Sequence, residues 1–420
     1  MSVQPDLPAL APFTSPIVDA VTIVLDPAIA DRPWRVARRR LTTALRTALD
    51  RPTTGWRVRR VRYTDEIVYD LLPPEEARLS PGEAWELTYA LRRLPDVLDA
   101  EPSFALIQDA VVPPADPDEQ PLVPAASAAP GEADPCVDDE PPTTVNPNAI
   151  DWSARLIDAP CAWRLDPPTG GRVRGAGVRV GHPDSGYLYH TDYFAEPDGR
   201  PTRVLTALEY DFVDRDRAVE NDSGQHGLST GSFIMSSEHT GAITGIAPAA
   251  EIVPLRVTKP RFGVIPAPIL FDSGARALRD AIRYATFSAQ CHVISISLGW
   301  FWNRSLRRAV RDAQAANVIV CAAAGNYVSF VVWPAAYRET IAVGGCNGRR
   351  LPWSGSSSGP LVDVSGPAED VWVASFTPGG AEAPRSSSGT SFAVATVAGV
   401  AALWLAYHGR NELLTRYAGN

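Results

Sequence analysis

The stretch Ser387-Ser388-Gly389-Thr390-Ser391-Phe392-Ala393 sets a small hydroxyl, Ser391, directly before a run from Val394 to Leu405 that is apolar or small except at Thr396. Such a run predicts a buried helix, whose positive dipole end falls beside Ser391 Oγ, where a developing oxyanion would be stabilised. A serine hydroxyl is a poor nucleophile without a base and an orienting carboxylate. The stretch therefore has chemical meaning only if those partners lie elsewhere in the chain.

Six histidines are available: His182, His190, His226, His239, His292 and His408. His226 alone sits among small residues, in Ser223-Gly224-Gln225-His226-Gly227-Leu228-Ser229-Thr230-Gly231, where a ring can emerge from a helix start into a cleft. His292 lies in the apolar stretch Cys291 to Leu298 and reads as a satisfied residue near a strand end; His408 reads as a helix end, and His190 and His239 as loop positions. Asp184 closes the strand-like Gly177-Val178-Arg179-Val180-Gly181-His182-Pro183-Asp184 before Ser185-Gly186. Taken alone it reads as a turn former. Between His226 and Ser391, the apolar Val318 to Ala323 runs through Ala324-Gly325 into Asn326, an amide of the kind that donates to a tetrahedral oxyanion.

Together these segments resemble the subtilisin-like serine peptidases (subtilases, peptidase family S8), whose triad runs Asp, His, Ser along the chain. The resemblance covers roughly Asn148 to the C-terminus. It implies Asp184 as acid, His226 as base, Asn326 as oxyanion amide and Ser391 as nucleophile. It further implies that Ser297, Leu298 and Gly299 pair with an extended peptide or protein substrate, and that Ala323, Ala324 and Gly325 form the opposite wall of the pocket for the residue before the scissile bond. Neither wall carries an acidic side chain, which points to uncharged substrate residues there. The chain departs from the family pattern at His182 and Pro183 before the aspartate, Leu228 and Thr230 after the histidine, and Ala395 and Thr396 after the serine. All three triad residues are nonetheless present, so an active endopeptidase is expected, with a subtilase-fold peptide-binding protein of little or no activity as the alternative.

Two other serine-hydrolase patterns fit less well. Gly355-Ser356-Ser357-Ser358-Gly359 has the spacing of a nucleophile elbow, but it runs into Gly359-Pro360 rather than a helix and reads as a serine-glycine loop. Sedolisins carry glutamate and aspartate where this chain has His226 and Asn326.

With 420 residues, 45% hydrophobic and 21% charged, the chain can build a large core and a second domain. A net charge of −9 gives no electrostatic reason to expect nucleic acid or an anionic membrane as partner, and no apolar run is expected to span a bilayer. The first residues, Met1-Ser2-Val3-Gln4-Pro5-Asp6, lack a basic start and apolar core, so a cytoplasmic location is expected. Five cysteines, Cys136, Cys161, Cys291, Cys321 and Cys346, show no paired spacing, so neither a disulfide framework nor a zinc site is expected. No cofactor is expected: calcium often binds secreted members of the family, but Ser237-Glu238-His239-Thr240-Gly241 stands where its ligand loop would be.

Composition divides the chain into a tail (1–15), a first domain (16–112), a linker (113–148) and the catalytic domain (149–420). In the first domain, strands at 18–25, 56–63, 66–72 and 97–112 and helices at 38–49 and 81–94 give the order β, α, β, β, α, β of a small ferredoxin-like split βαβ fold. Subtilisin propeptides have that topology and position, so the resemblance implies an intramolecular inhibitory domain. The linker holds ten prolines and eight acidic residues with no basic one, a composition that buries too little apolar surface to fold. After it, strands alternate with helices such as 275–288 and 303–316, which predicts an α/β domain with a mostly parallel sheet covered on both faces.

Overall fold

The computed structural model describes residues 17–30, 32–49, 53–62, 67–74, 79–105, 145–146, 148–194, 202–220, 225–237, 243–258 and 274–417. The expected tail, and the expected linker apart from Val145, Asn146 and Asn148, lie outside them. The described residues fall into two units.

The first unit runs β1 (Ile17–Leu25), α1 (Pro27–Ala30), α2 (Trp34–Ala48), β2 (Arg57–Arg62), β3 (Ile67–Leu72), α3 (Pro81–Arg92) and β4 (Val97–Ala105). Its strands pair in the order β2-β3-β1-β4, all antiparallel, as a split βαβ fold requires. One face of α2, carrying Ala37, Leu41 and Leu45, closes a core with Ile23, Tyr69, Leu71, Leu87 and Leu91. That helix begins four residues before the expected Arg38, because Trp34 follows Pro33 and stacks on Tyr69 at 6.1 Å. The start of α3 is as expected: Glu83 N donates to Ser80 Oγ and Ser80 N donates to Glu83 Oε2, a reciprocal cap. β2 carries Arg57, Arg59, Arg60 and Arg62 along the sheet edge, where charge discourages pairing with another strand.

The second unit runs α4 (Trp152–Leu156), α5 (Ala159–Ala162), β5 (Arg179–Asp184), α6 (Thr191–Phe194), β6 (Tyr210–Asp211), α7 (His226–Met235), β7 (Glu251–Arg256), α8 (Gly274–Phe287), β8 (Val293–Ile296), α9 (Arg304–Ala315), β9 (Ile319–Ala323), β10 (Ile341–Cys346), β11 (Val364–Pro367), β12 (Val371–Val373), β13 (Arg385–Ser387), α10 (Thr390–His408) and α11 (Arg410–Arg416). Seven strands form one sheet in the order β11-β10-β9-β8-β5-β7-β6, and every pair in it is parallel. From β5 the chain first builds outward through β6 and β7, then crosses to the other side for β8 to β11. That reversal opens a crevice at the carboxyl ends of the strands, the usual place for a ligand in such sheets.

By length and composition α10 could cross a membrane, which corrects the expectation from the sequence. Its apolar character has a local cause: α10 packs against α7 and across β8 to β11, burying Phe392, Ala395, Ala398 and Ala402 in the core, where Phe392 meets Phe233 of α7 edge to face at 6.0 Å. The expectation about cysteines also needs correction, because Cys161 is disulfide-bonded. Cys291 and Cys321 are free and buried, and burial pushes both thiols up to about 12, which makes them inert.

Candidate active site

Asp184 is the last residue of β5, held between β7 and β8 by the pairs Asp184↔Arg256 and Gly181↔Ile294. The turn that follows uses Gly186 at φ 99°, where a Cβ would collide with the carbonyl oxygen of Val219. Ser185 N donates to Asp184 Oδ1 at 2.7 Å, and Gly227 N donates to Ser185 Oγ at 3.0 Å. The first turn of α7 therefore rests directly on the turn after β5. Gly227 fits there because it has no side chain: a Cβ would overlap the carbonyl oxygen of Gly186. Gly227→Ala is expected to destabilise this unit by on the order of 3 kcal/mol, since backbone rather than a pliable side chain must yield. A urea midpoint equal to that of the native chain would contradict this packing.

Gln225 precedes α7 in the left-handed region at φ 56°. Its Oε1 accepts from Phe376 N at 2.6 Å and Ser375 Oγ at 2.9 Å, which offsets the backbone cost and pins the helix start. His226 then opens α7, with Nδ1 2.7 Å from Asp184 Oδ1 and Nε2 3.1 Å from Ser391 Oγ. Asp184 is 1% exposed and the His226 side chain 16%, so the pair is buried on its carboxylate side and open on its serine side. Burial pushes the Asp184 carboxyl up, but the charge and hydrogen bond of His226, with His182 and the Ser185 amide, bring it below the usual carboxylate range.

Ser391 is the second residue of α10, with its backbone N–H at the positive end of the helix. Its carbonyl accepts from Ser297 Oγ at 3.1 Å. Asn326 follows β9, and its Oδ1 accepts from Thr390 N at 2.9 Å and Thr390 Oγ1 at 2.7 Å. That fixes the amide orientation, with Nδ2 beside Gly389, just before the serine. All four residues expected to carry chemistry meet at one carboxyl edge of the sheet.

The two expected walls also leave neighbouring strands on that edge, since β8 and β9 pair through Ile296↔Ala322. Ser297, Leu298 and Gly299 follow β8, while Ala323 ends β9 and Ala324 and Gly325 follow it. Sequence reasoning missed two groups here. Val332 lies between the walls: a Cβ on Gly299 would come within 2.7 Å of Val332 Cγ2, and one on Gly325 within 3.1 Å of Val332 Cγ1. The serine run at 355–359, read as a loop, is a brace: Ser357 N donates to Gly325 O at 2.8 Å and Ser357 Oγ to Val328 O at 3.0 Å. Ser357 is 2% exposed and buried in this role, far from that of a nucleophile. Neither had a signal in spacing or composition.

Of the remaining histidines, His190 is buried with Nε2 3.1 Å from Ser375 O, and His292 Nδ1 accepts from Arg179 N at 3.1 Å, a structural role as expected. Burial, with Arg410 and Arg179, lowers His292 to about 4. His408 ends α10. Among the described residues, no three His, Cys, Asp or Glu side chains are grouped to hold a metal ion. Residues 238–241, which include His239 and all but Ser237 of the segment compared with a calcium loop, lie outside the described residues.

A parallel α/β sheet with a carboxylate, imidazole and hydroxyl in a hydrogen-bonded row at its carboxyl edge defines a serine hydrolase. The chain belongs to the Subtilase family, whose sequence profile matches residues 143–417. It is 32% identical over 274 residues to thermitase of Thermoactinomyces vulgaris, covering 64% of this chain and 86% of thermitase. It is 29% identical over 267 residues to an intracellular serine protease of Paenibacillus polymyxa, covering 61% of this chain and 73% of that one. A crystal structure of MycP1 with its N-terminal propeptide removed aligns with a TM-score of 0.47 at 24% identity, over 60% of this chain and 83% of the other. Family membership makes the chain a serine-type endopeptidase acting on a peptide or protein substrate.

Proposed function

We propose that Ser391 attacks the scissile carbonyl while His226 Nε2 takes its proton and then passes it to the leaving amine, with Asp184 holding the imidazole in the Nδ1–H tautomer. Asn326 Nδ2 and the Ser391 backbone N–H bind the oxyanion. The observation that carries this reading is the unbroken row Asp184 Oδ1, His226 Nδ1, His226 Nε2 and Ser391 Oγ, with gaps of 2.7 and 3.1 Å.

Backbone at residues 297–299 pairs with the substrate, and Ala323, Ala324 and Gly325 face it across the pocket. Val332, which abuts both Gly299 and Gly325, makes that pocket shallow, so the preferred residue before the scissile bond is small and apolar. Val332→Gly is expected to raise kcat/KM for phenylalanine relative to alanine at that position by roughly tenfold or more, since removed pocket methyls change discrimination by about 10–200-fold. A peptide series in which the preference for alanine is unchanged would sink this assignment.

The first unit, residues 16–112, is proposed to restrain the enzyme within the same chain; its ferredoxin-like topology supports this, as does its place ahead of the peptidase. Activity should rise when the chain is cut within 113–148 and the two parts are separated. The disulfide at Cys161 favours an oxidising compartment over the cytoplasmic location expected from the first residues. The reading as a whole is tested by hydrolysis of peptides with alanine before the scissile bond. No turnover by the separated peptidase would favour the binding-protein alternative.

A further inference from the structure

Two departures from the family pattern, distant in sequence, meet behind Asp184. His182 lies two residues before Asp184 on β5, on the same side of the strand. Thr230 lies one turn after His226 on α7. His182 Nε2 is 3.0 Å from Thr230 Oγ1 and 3.6 Å from Asp184 Oδ2, and Thr230 Oγ1 is 3.3 Å from Asp184 Oδ2. The three side chains are sealed from solvent, at 2%, 0% and 1% exposure.

We propose that His182 is a positioning residue of this active site: its Nε2–H donates to Thr230 Oγ1, whose hydroxyl donates to Asp184 Oδ2, clamping the carboxylate on the side away from His226. This rests on the roles proposed above for Asp184 and His226.

The tautomer follows from counting protons. Thr230 has one, and its acceptors are Asp184 Oδ2 at 3.3 Å and the carbonyls of His226 at 3.0 Å and Gly227 at 3.5 Å. Whichever takes it, the hydroxyl needs no acceptor at His182 and has a lone pair free for a donor there. A bare Nε2 would also aim its lone pair at the carboxylate 3.6 Å away, whereas Nε2–H turns the positive end of a dipole towards it. Of these acceptors only the carboxylate is charged, which favours it for the proton. Burial lowers the pKa of His182, which keeps the ring neutral; Asp184, opposing this, and His226 are the titratable groups that face it.

With this clamp, Asp184 Oδ1 takes Ser185 N and His226 Nδ1 while Oδ2 takes Thr230. Both carboxylate oxygens are held, and the plane that orients the His226 ring is fixed. The pairing also explains why the departures occur together. An apolar residue in place of Thr230 would leave His182 Nε2 without its hydrogen-bond partner in a dry interior, which costs more than removing both.

The test joins spectroscopy with kinetics. In the full chain carrying Ser391→Ala, with 15N-labelled histidine at about pH 8, where the ring is neutral, His182 should show a protonated Nε2 and a bare Nδ1. In the active chain, His182→Leu and Thr230→Val should each lower kcat by roughly tenfold at unchanged KM. The double variant should be no slower than either single one. His182→Gln, whose amide N–H reaches the same place, should keep kcat within about twofold of native. A bare Nε2 overturns the proposal, as does a kcat for His182→Leu equal to native, or a His182→Gln as slow as His182→Leu. The ring spectrum decides the tautomer even if no variant turns over, so failure of the clamp and failure of the triad are read separately.

Discussion

Ser391→Ala is expected to reduce kcat on peptide substrates by about a millionfold while KM changes little. Removing Oγ removes the hydroxyl 3.1 Å from His226 Nε2 that the proposed mechanism activates, so the attack on the carbonyl would fall to water. The fold should not suffer. Besides His226, the Ser391 hydroxyl reaches only Ser297 O at 3.4 Å among the described residues, and alanine suits the first turn of a helix. Under the proposed mechanism Asp184, His226 and Ser391 act as one unit, so adding His226→Ala to Ser391→Ala should cost almost nothing more. A Ser391→Ala chain that retains a tenth of native kcat would place the nucleophile elsewhere.

The second largest effect is expected at Asn326. Replacing it by leucine, similar in size but without the amide, should lower kcat by about 100–1,000-fold and leave KM within a few-fold. The amide is held before substrate arrives, since Oδ1 takes both the N–H and the hydroxyl of Thr390. Its loop is braced by Ser357 through Gly325 O and Val328 O. A donor fixed in this way strengthens as charge develops on the oxygen and needs no reorganisation, so its loss falls on the transition state. If Asn326→Leu raised KM and spared kcat, the amide would be a ground-state contact and the oxyanion would be bound by other groups.

The four residues of this site were legible in sequence because each depends on a local pattern. Asp184 ends a strand, Asn326 follows an apolar one, and His226 and Ser391 sit in small-residue stretches at the first turns of helices. The parallel sheet and the split βαβ unit were legible for the same reason, through alternating periods and turn residues. What stayed hidden depends on contacts between distant segments. Val332 abuts both Gly299 and Gly325 only because β8 and β9 are neighbours. Ser357 braces the Asn326 loop across 31 positions of chain, from a motif whose spacing suggested something else. His182 and Thr230 looked like two separate losses of apolar character, and only the fold makes them partners. The apolar length of α10 reads alike for a core helix and a membrane span, and burial under the sheet decides it.

The central claim is that Ser391 is a nucleophile activated by His226. Its most direct test is to expose the native chain, Ser391→Ala and His226→Ala to a fluorophosphonate, then to measure intact mass and map the modified peptide. The account predicts one adduct on the native chain, located on Ser391, none on Ser391→Ala and greatly slowed labelling of His226→Ala. An adduct on Ser357 or another serine, or equal labelling of native and His226→Ala, would contradict it.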